Sequence, residues 1–319
     1  METKANGWRV AVVQAASALM DGPACVDKAL RLIAEVGARG AQMALFPEAF
    51  ISGYPRGMSF GAVVGSRTPA GRALWARYGQ SAIAVPGPET EALGAAAREA
   101  GLYLAIGAIE RDPRPGGTLY CSLLYFGPDG RLLGCHRKLK PTGSERLIWG
   151  EGDGSTLTVV DTPAGPAGGL ICWENYMPLA RVALYGKGVA LYLAPTADSR
   201  DGWQATLRHI ALEGRCFVLG CNQYYTREML PADLCALPEL AEVPETLCRG
   251  GSAIVSPLGE VLAGPLYDGE GILYADLDLA EVAHARYDFD PVGHYARPDV
   301  FHLSVDERPR PGIAYQGGQ

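Results

Sequence analysis

The chain has 319 residues, 48% of them hydrophobic and 20% charged, which suits a globular protein with a large buried core. Its formal net charge of −7, with no basic arm to offset it, argues against a nucleic-acid partner. No apolar run reaches membrane-spanning length, and the N-terminus Met1–Trp8 lacks the apolar core of a signal peptide.

Strand-like and helix-like runs alternate along the chain. Arg9–Ala15 is a short apolar run, and Cys25–Ala38 places Val26, Leu30, Ile33 and Val36 near helical spacing. Met43–Phe46 is the next buried run. Thr90–Ala100 reads as a helix and Leu102–Ile109 as a strand. Leu119–Phe126 and Arg131–His136 flank Pro-Asp-Gly, a hairpin signal. Thr156–Asp161 and Gly169–Cys172 pair around a Pro/Gly turn, and a helix-compatible segment follows over Asn175–Gly186. Val189–Ala194 continues a sheet, Trp203–Gly214 is helical and Cys216–Gln223 is again strand. Gln223–Arg249 reads as an irregular insertion. Ser252–Ser256, Glu260–Gly264 and Ile272–Leu277 close the pattern as strands. Helices between strands, with antiparallel hairpins, predict an α/β or α+β fold with a mixed sheet. No linker divides the interior, so one domain over residues 1–306 is expected, with a tail at 307–319.

Eight cysteines show neither a CxxC pair nor zinc-type Cys/His spacing, and several sit in apolar runs. That usage fits a reducing cytoplasm. Cys172 stands apart: the Gly-rich run Gly169–Ile171 stops at this thiol, and polar Trp-Glu-Asn follows. A free cysteine is ordinarily a small buried apolar residue. Here the setting predicts a nucleophile exposed at a strand end, beside the positive end of a helix that favours thiolate.

Two other charged positions close strands. Glu48, in Ala-Leu-Phe-Pro-Glu-Ala-Phe, is either a solvent-facing strand end or a carboxylate whose pKa is raised by apolar neighbours, ready to take a proton. Lys138 and Lys140, in His-Arg-Lys-Leu-Lys-Pro-Thr, share one face of a strand, so alternation does not choose between them. A lysine beside the thiol would lower its pKa and stabilise charge developing on nitrogen or oxygen. Glu145, seven residues beyond Lys138, is placed to hold that lysine. Tyr54, in the turn-rich Ser-Gly-Tyr-Pro-Arg-Gly, is a candidate pocket residue. A Gly-x-Ser-x-Gly elbow, a Walker loop and a dinucleotide fingerprint are absent. The five histidines (136, 209, 284, 294 and 302) are scattered without metal-ligand spacing, though one of them beside Cys172 would make a Cys/His pair.

Three ordered motifs resemble the nitrilase branch of the carbon–nitrogen hydrolase superfamily. They are Phe-Pro-Glu-Ala-Phe-Ile-Ser-Gly-Tyr-Pro (46–55), His-Arg-Lys-Leu-Lys-Pro-Thr with Glu-Arg (136–146), and Gly-Leu-Ile-Cys-Trp-Glu-Asn-Tyr-Met-Pro-Leu (169–179). The segments 150–155, 209–218, 249–252 and 288–295 are similar as well, so the likeness covers nearly the whole chain. The resemblance implies an α-β-β-α sandwich and a Glu–Lys–Cys triad of Glu48, Lys138 and Cys172, with Glu145 as the additional glutamate near the lysine. Lys138 is chosen because the family's lysine directly follows the motif's arginine. It also implies hydrolysis of a nitrile to acid and ammonia with no metal or organic cofactor, and homodimers that assemble further into spirals or filaments. A cysteine-dependent amidase or a cyanide-degrading hydrolase of the same superfamily is the alternative. Cyanide-hydrolysing relatives often carry His where Asn175 stands, which favours organic nitriles. Tyr54, Trp173 and Asn175 are the expected substrate contacts. Trp203 is either a further pocket wall or core, and arylaliphatic nitriles are the expected substrates.

Overall fold

The computed structural model describes residues 7–311 and 313, save 115 and 242. Part of the expected tail, 312 and 314–319, and the start of the N-terminus, 1–6, lie outside the described residues. Two sheets face each other. The first is six-stranded, in the order Gly271–Asp278, Gly7–Gln14, Met43–Leu45, Tyr103–Arg111, Leu119–Phe126, Leu132–Arg137. The second is seven-stranded: Tyr224–Thr226, Thr246–Val255, Phe217–Cys221, Leu191–Pro195, Ala167–Gly169 and Val159–Val160 in order, with Val261–Tyr267 also paired to Thr246–Val255.

Side-chain alternation explains the layering. In Gly7–Gln14, Val10 and Val12 point to the central core, while Ala11 and Val13 point outward. The central core joins them to Leu45 and Leu123 of the first sheet and to Leu193, Phe217, Leu219 and Ile254 of the second. On the first sheet's outer face, Ile33, Val36, Leu93 and Ala97 of the helices Gly22–Ala38 and Pro88–Ala100 cover Ala11 and Val13. On the second sheet's outer face, Leu184, Leu207 and Ile210 of the helices Pro178–Gly186 and Gly202–Gly214 pack on Tyr192 and Val218. Three apolar layers between four structural layers make the α-β-β-α sandwich. No helix among the described residues is long and apolar enough to cross a membrane.

The helix starts are written locally. Asp21 accepts from the N–H of Ala24 at 3.0 Å and Pro23 occupies the first turn, so the first helix begins three residues before the apolar periodicity. Differences from the sequence reading have similar causes. The helix Pro69–Ser81 buries only Gly71, Tyr78 and Ser81, too few positions to leave a periodic signal. The insertion 223–249 contains the strand Tyr224–Thr226 and the short helix Ala232–Cys235, and its end already belongs to the strand Thr246–Val255. The tail residues Glu307 and Arg310 are tied back, Glu307 to Lys187 and the Arg310 N–H to Asp153 at 2.7 Å.

Gly107 shows how close the backbone approaches near the end of Met43–Leu45. A Cβ there would lie 2.2 Å from the Pro47 carbonyl oxygen and 2.8 Å from the Glu48 Cα. Gly107→Ala should therefore push the Glu48 segment away. We expect about 1–3 kcal/mol of destabilisation in urea unfolding, with catalytic loss beyond what the remaining folded fraction explains.

Candidate active site

Cys172 follows the strand Ala167–Gly169 of the second sheet and opens a five-residue 3-10 turn, Cys172–Tyr176. Its φ of 54° is left-handed, a conformation disfavoured for a residue with a Cβ. The strand approaches it closely: a Cβ on Gly169 would meet the Leu193 carbonyl at 1.8 Å, so only glycine fits. Glu48 and Lys138 come from the opposite side, just beyond the first-sheet strands Met43–Leu45 and Leu132–Arg137. The site lies on the seam between the sheets. Gln223, beyond the end of a second-sheet strand, stitches that seam by donating to the Glu48 carbonyl at 2.9 Å.

Lys138 is the centre of the arrangement. Its Nζ donates to Glu48 Oε1 at 2.7 Å and to Glu145 Oε2 at 2.8 Å, and it lies 5.6 Å from the Trp149 ring centroid. Burial opposes its charge, but Glu48 first, then Cys172, Cys121 and Glu145, outweigh that and hold the ammonium well above the ordinary lysine range. Glu145 is fixed in turn by the Tyr54 hydroxyl at 2.6 Å and the Thr142 N–H at 2.6 Å. Lys140, by contrast, points outward to Glu151, both half exposed. The structure separates two lysines that the strand pattern left equivalent.

Burial raises the Glu48 carboxyl, with Lys138 pulling the other way, and the net shift is upward. Its Oε2 has no hydrogen-bond partner among the described residues, and the Cys172 thiol lies close enough to lower its pKa in part. The thiol of Cys121 also faces Oε1, at 3.7 Å.

The expectation of a resting thiolate is corrected. The Cys172 thiol is pushed up to about 12, by burial first and then by the Glu48 charge; Lys138 and Thr196 only partly offset this. Two physical reasons account for the difference. The helix proper starts at Pro178, so Cys172 heads a short 3-10 turn and gains no long helix dipole. Lys138 does act on the sulfur, but the Glu48 charge paired with it pushes the thiol up by more than the ammonium pulls it down.

Thr196, just past the strand Leu191–Pro195, was not singled out in the sequence. Its hydroxyl donates to Cys172 Sγ at 3.1 Å and accepts from the Asp198 N–H at 2.9 Å. Its position one residue past a strand end is the signal that could have found it. Around the thiol, Tyr54, Arg56, Thr142, Glu145, Trp173 and Arg200 line a cleft of about 240 Å³. Tyr54, Arg56 and Glu145 also border a hollow of about 480 Å³ walled by Phe60, Ile148 and Trp149.

Of the expected substrate contacts, Tyr54 and Trp173 reach the cleft and Asn175 does not. Trp173 is pinned at the mouth by its Nε1–H to Asp198 (2.9 Å) and by the Arg200 guanidinium 4.8 Å from its ring centroid. Asn175 is fully buried, donating to the carbonyls of Leu170 (2.9 Å) and Cys172 (2.8 Å) and accepting from the Tyr192 hydroxyl at 2.8 Å. These bonds shape the turn under Cys172 and leave the amide facing away from the cleft. Trp203 packs in the outer core beneath the second sheet's helices, with no place in either cavity. The Cys/His alternative finds no partner: among the described residues no histidine lines the Cys172 cleft, His136 being bonded to Glu174 and Thr156 and His209 lying beside Glu213.

Comparison with known proteins gives the family. The profile of the family described as "Carbon-nitrogen hydrolase" matches residues 9–287. An aliphatic nitrilase of Sinorhizobium fredii is 60% identical over 307 residues, 96% of this chain and 98% of that protein. A bifunctional nitrilase/nitrile hydratase of Lupinus angustifolius is 53% identical, covering 96% and 88%. A nitrilase of Bradyrhizobium diazoefficiens is 53% identical, covering 97% and 95%. Among solved structures, a carbon–nitrogen hydrolase of Helicobacter pylori superimposes with a TM-score of 0.71 over 92% of this chain and 97% of that one, at 20% identity, a likeness of fold alone. The chain belongs to the carbon–nitrogen hydrolase superfamily. Within it, its relatives place the chain in the nitrilase branch.

Two outcomes are expected at the triad. Lys138→Ala strands two buried carboxylates and should destabilise by about 3–5 kcal/mol in chemical unfolding. Alkylation of Cys172 by iodoacetamide, followed by mass mapping, should keep accelerating above about pH 9 with no plateau near neutrality, as a neutral resting thiol requires.

Proposed function

We propose that this chain hydrolyses an organic nitrile to its carboxylic acid and ammonia, with Cys172 as nucleophile, Glu48 as general base and acid, and Lys138 as the charge-stabilising group. The observation that carries the reading is the enclosed contact set of Glu48, Lys138 and Glu145 beside the Cys172 thiol. A neutral thiol beside a carboxylate of raised pKa suits concerted transfer: Glu48 takes the proton as Sγ bonds to the nitrile carbon. The carbon–nitrogen triple bond becomes a double bond, and the nitrogen receives that proton while Lys138 offsets its developing charge. Water then adds to the thioimidate with Glu48 accepting its proton, and the tetrahedral carbon expels ammonia to leave a thioester. A second water frees the acid and restores the thiol. Every group needed for these steps is a side chain already described.

Substrate size follows from the cavities. The cleft at the sulfur measures about 240 Å³, and the hollow of about 480 Å³ that shares Tyr54 with it is also bordered by Phe60 and Trp149. A ring spaced from the nitrile by one or two carbons would place apolar surface against those aromatics. We therefore favour arylaliphatic nitriles, with aliphatic ones as direct competitors, since the Sinorhizobium relative is named an aliphatic nitrilase. A second product is also supported: the Lupinus relative is described as both nitrilase and nitrile hydratase. If the tetrahedral carbon expels the thiol instead of ammonia, the amide is released. Eight unpaired thiols suit a reducing cytoplasm. The exposed Leu179 and Leu212 on the second sheet's outer helices suit the homodimer and larger assemblies that the resemblance implies.

Ammonia and product release from phenylacetonitrile, mandelonitrile, benzonitrile, an aliphatic dinitrile and cyanide, each beside its amide, tests the reading. Acid and ammonia from a nitrile, lost in Cys172→Ala, are expected. Turnover of the amides alone would assign the chain to amide hydrolysis instead.

A further inference from the structure

A buried pair that the chemistry above does not use links the two halves of the site. His136 and Glu174 are both fully enclosed. His136 Nδ1 lies 2.8 Å from the Thr156 carbonyl oxygen, and Nε2 lies 3.0 Å from Glu174 Oε2. A carbonyl can only accept, so Nδ1 carries a hydrogen. With that proton alone, the Nε2 lone pair would face a carboxylate oxygen at hydrogen-bond distance, out of reach of water. A second proton must lie between them. Glu174 also accepts from the N–H of Ile171 at 2.7 Å and from the N–H of Leu139 at 2.6 Å. Both carboxylate oxygens thus already accept from the backbone, and the shared proton is placed on the ring, as an imidazolium that donates from both nitrogens.

The two backbone donors give the pair its significance. Ile171 directly precedes Cys172, and Leu139 directly follows Lys138. One carboxylate therefore grips the chain beside the nucleophile and the chain beside the lysine, across the seam between the sheets. We propose that His136 and Glu174 form a positioning pair, whose shared proton holds Cys172 and Lys138 in register and whose loss sets the alkaline limit of catalysis. Neither side chain touches the reacting atoms. Deprotonation would set a ring lone pair against an acceptor, Glu174 Oε2 if Nε2 loses its proton or the Thr156 carbonyl if Nδ1 does, and either loss removes a bond that holds the pair and its backbone donors in place. A displacement of about 1 Å between reacting groups is enough to cost on the order of 10²-fold in rate.

The surroundings isolate this titration. Among the described residues, Glu174 is the only charged group bonded to the ring. Arg137, one residue on and so on the opposite side of the strand, is committed to Glu110. Lys138, two residues on, is committed to Glu48 and Glu145. The phenols of Tyr125 and Tyr192 feel Glu174 weakly, and burial, the larger cause, pushes both upward, so they stay neutral in the working range. Burial alone would lower the His136 pKa. The Glu174 charge, its hydrogen bond and the Thr156 carbonyl overcome this and raise it above 6.5. With a raised folded-state pKa, the pair's contribution is complete below the unfolded value of about 6.5 and disappears as pH rises through the folded value.

The inference rests on Cys172, Glu48 and Lys138 being the reacting set, and Cys172→Ala checks that separately: activity surviving in it overturns the reacting set itself. The experiment compares kcat for a hydrolysed nitrile from about pH 6 to about pH 10 in the wild type and in His136→Gln, whose side-chain amide donates to Glu174 but does not titrate. Wild-type kcat should fall about tenfold per pH unit on the alkaline side, and the variant should change less than about twofold over that interval. An unchanged alkaline limb in the variant would assign it to another group and overturn the proposal. A second measurement needs no variant. Histidine ring C2-hydrogen exchange, read by mass spectrometry on the wild-type protein, should place the His136 titration at the same pH as the limb. A ring already neutral at pH 7 would overturn the proposal even if the variant failed to fold or no nitrile were turned over.

Discussion

Everything in the site depends on keeping one ammonium ion out of water. Lys138 is fully buried, and an unpaired charge there would cost several kcal/mol. Glu48 and Glu145 make the burial tolerable, and their own burial is tolerable only because Lys138 lies between them. Tyr54 and the Thr142 N–H then satisfy Glu145, and Trp149 closes the remaining side. The cluster is thus a mutual constraint in which no member can move alone. The same constraint places a carboxylate with one uncommitted oxygen beside the sulfur.

That arrangement changes the usual account of an activated cysteine. An unshielded lysine would make a standing thiolate, stable and correspondingly less nucleophilic per molecule. Here burial and the Glu48 charge outweigh the lysine's pull on the thiol, and under the proposed roles the proton leaves the sulfur only when a substrate draws it toward Glu48. Thr196 and the backbone at Ala197 stabilise the sulfur modestly as it becomes charged. In the proposed reaction, negative charge would then appear chiefly during turnover, when the cationic side chain has a nitrogen to act on.

Much of this was legible in the chain and some was not, for identifiable reasons. The buried strands and amphipathic helices were readable because each buries a regular stripe, as Ile33 and Val36 do in the first helix. The sandwich was not readable from periodicity, since alternation cannot tell a face covered by helices from a face covered by another sheet; the motif resemblance supplied it. Glu48, Cys172 and the choice of Lys138 over Lys140 likewise came from strand ends and motifs. Asn175 was singled out through the resemblance, as the position where cyanide-hydrolysing relatives carry His, whereas here its amide ties down the carbonyls of the turn that carries left-handed Cys172. Thr196 and the partnership of His136 with Glu174 depend on strands distant in sequence meeting in space, which no local pattern records.

The position of the site on the seam between the sheets has a consequence for the life of the molecule. Glu48 and Lys138 are carried by one sheet, and Cys172 and Thr196 by the other. Either half, folded by itself, would hold a lone base or a lone thiol and no catalyst. A newly made chain is therefore chemically silent until the central apolar layer closes. With the roles proposed for these residues, any motion that parts the two sheets would switch the chemistry off before it unravels a single strand.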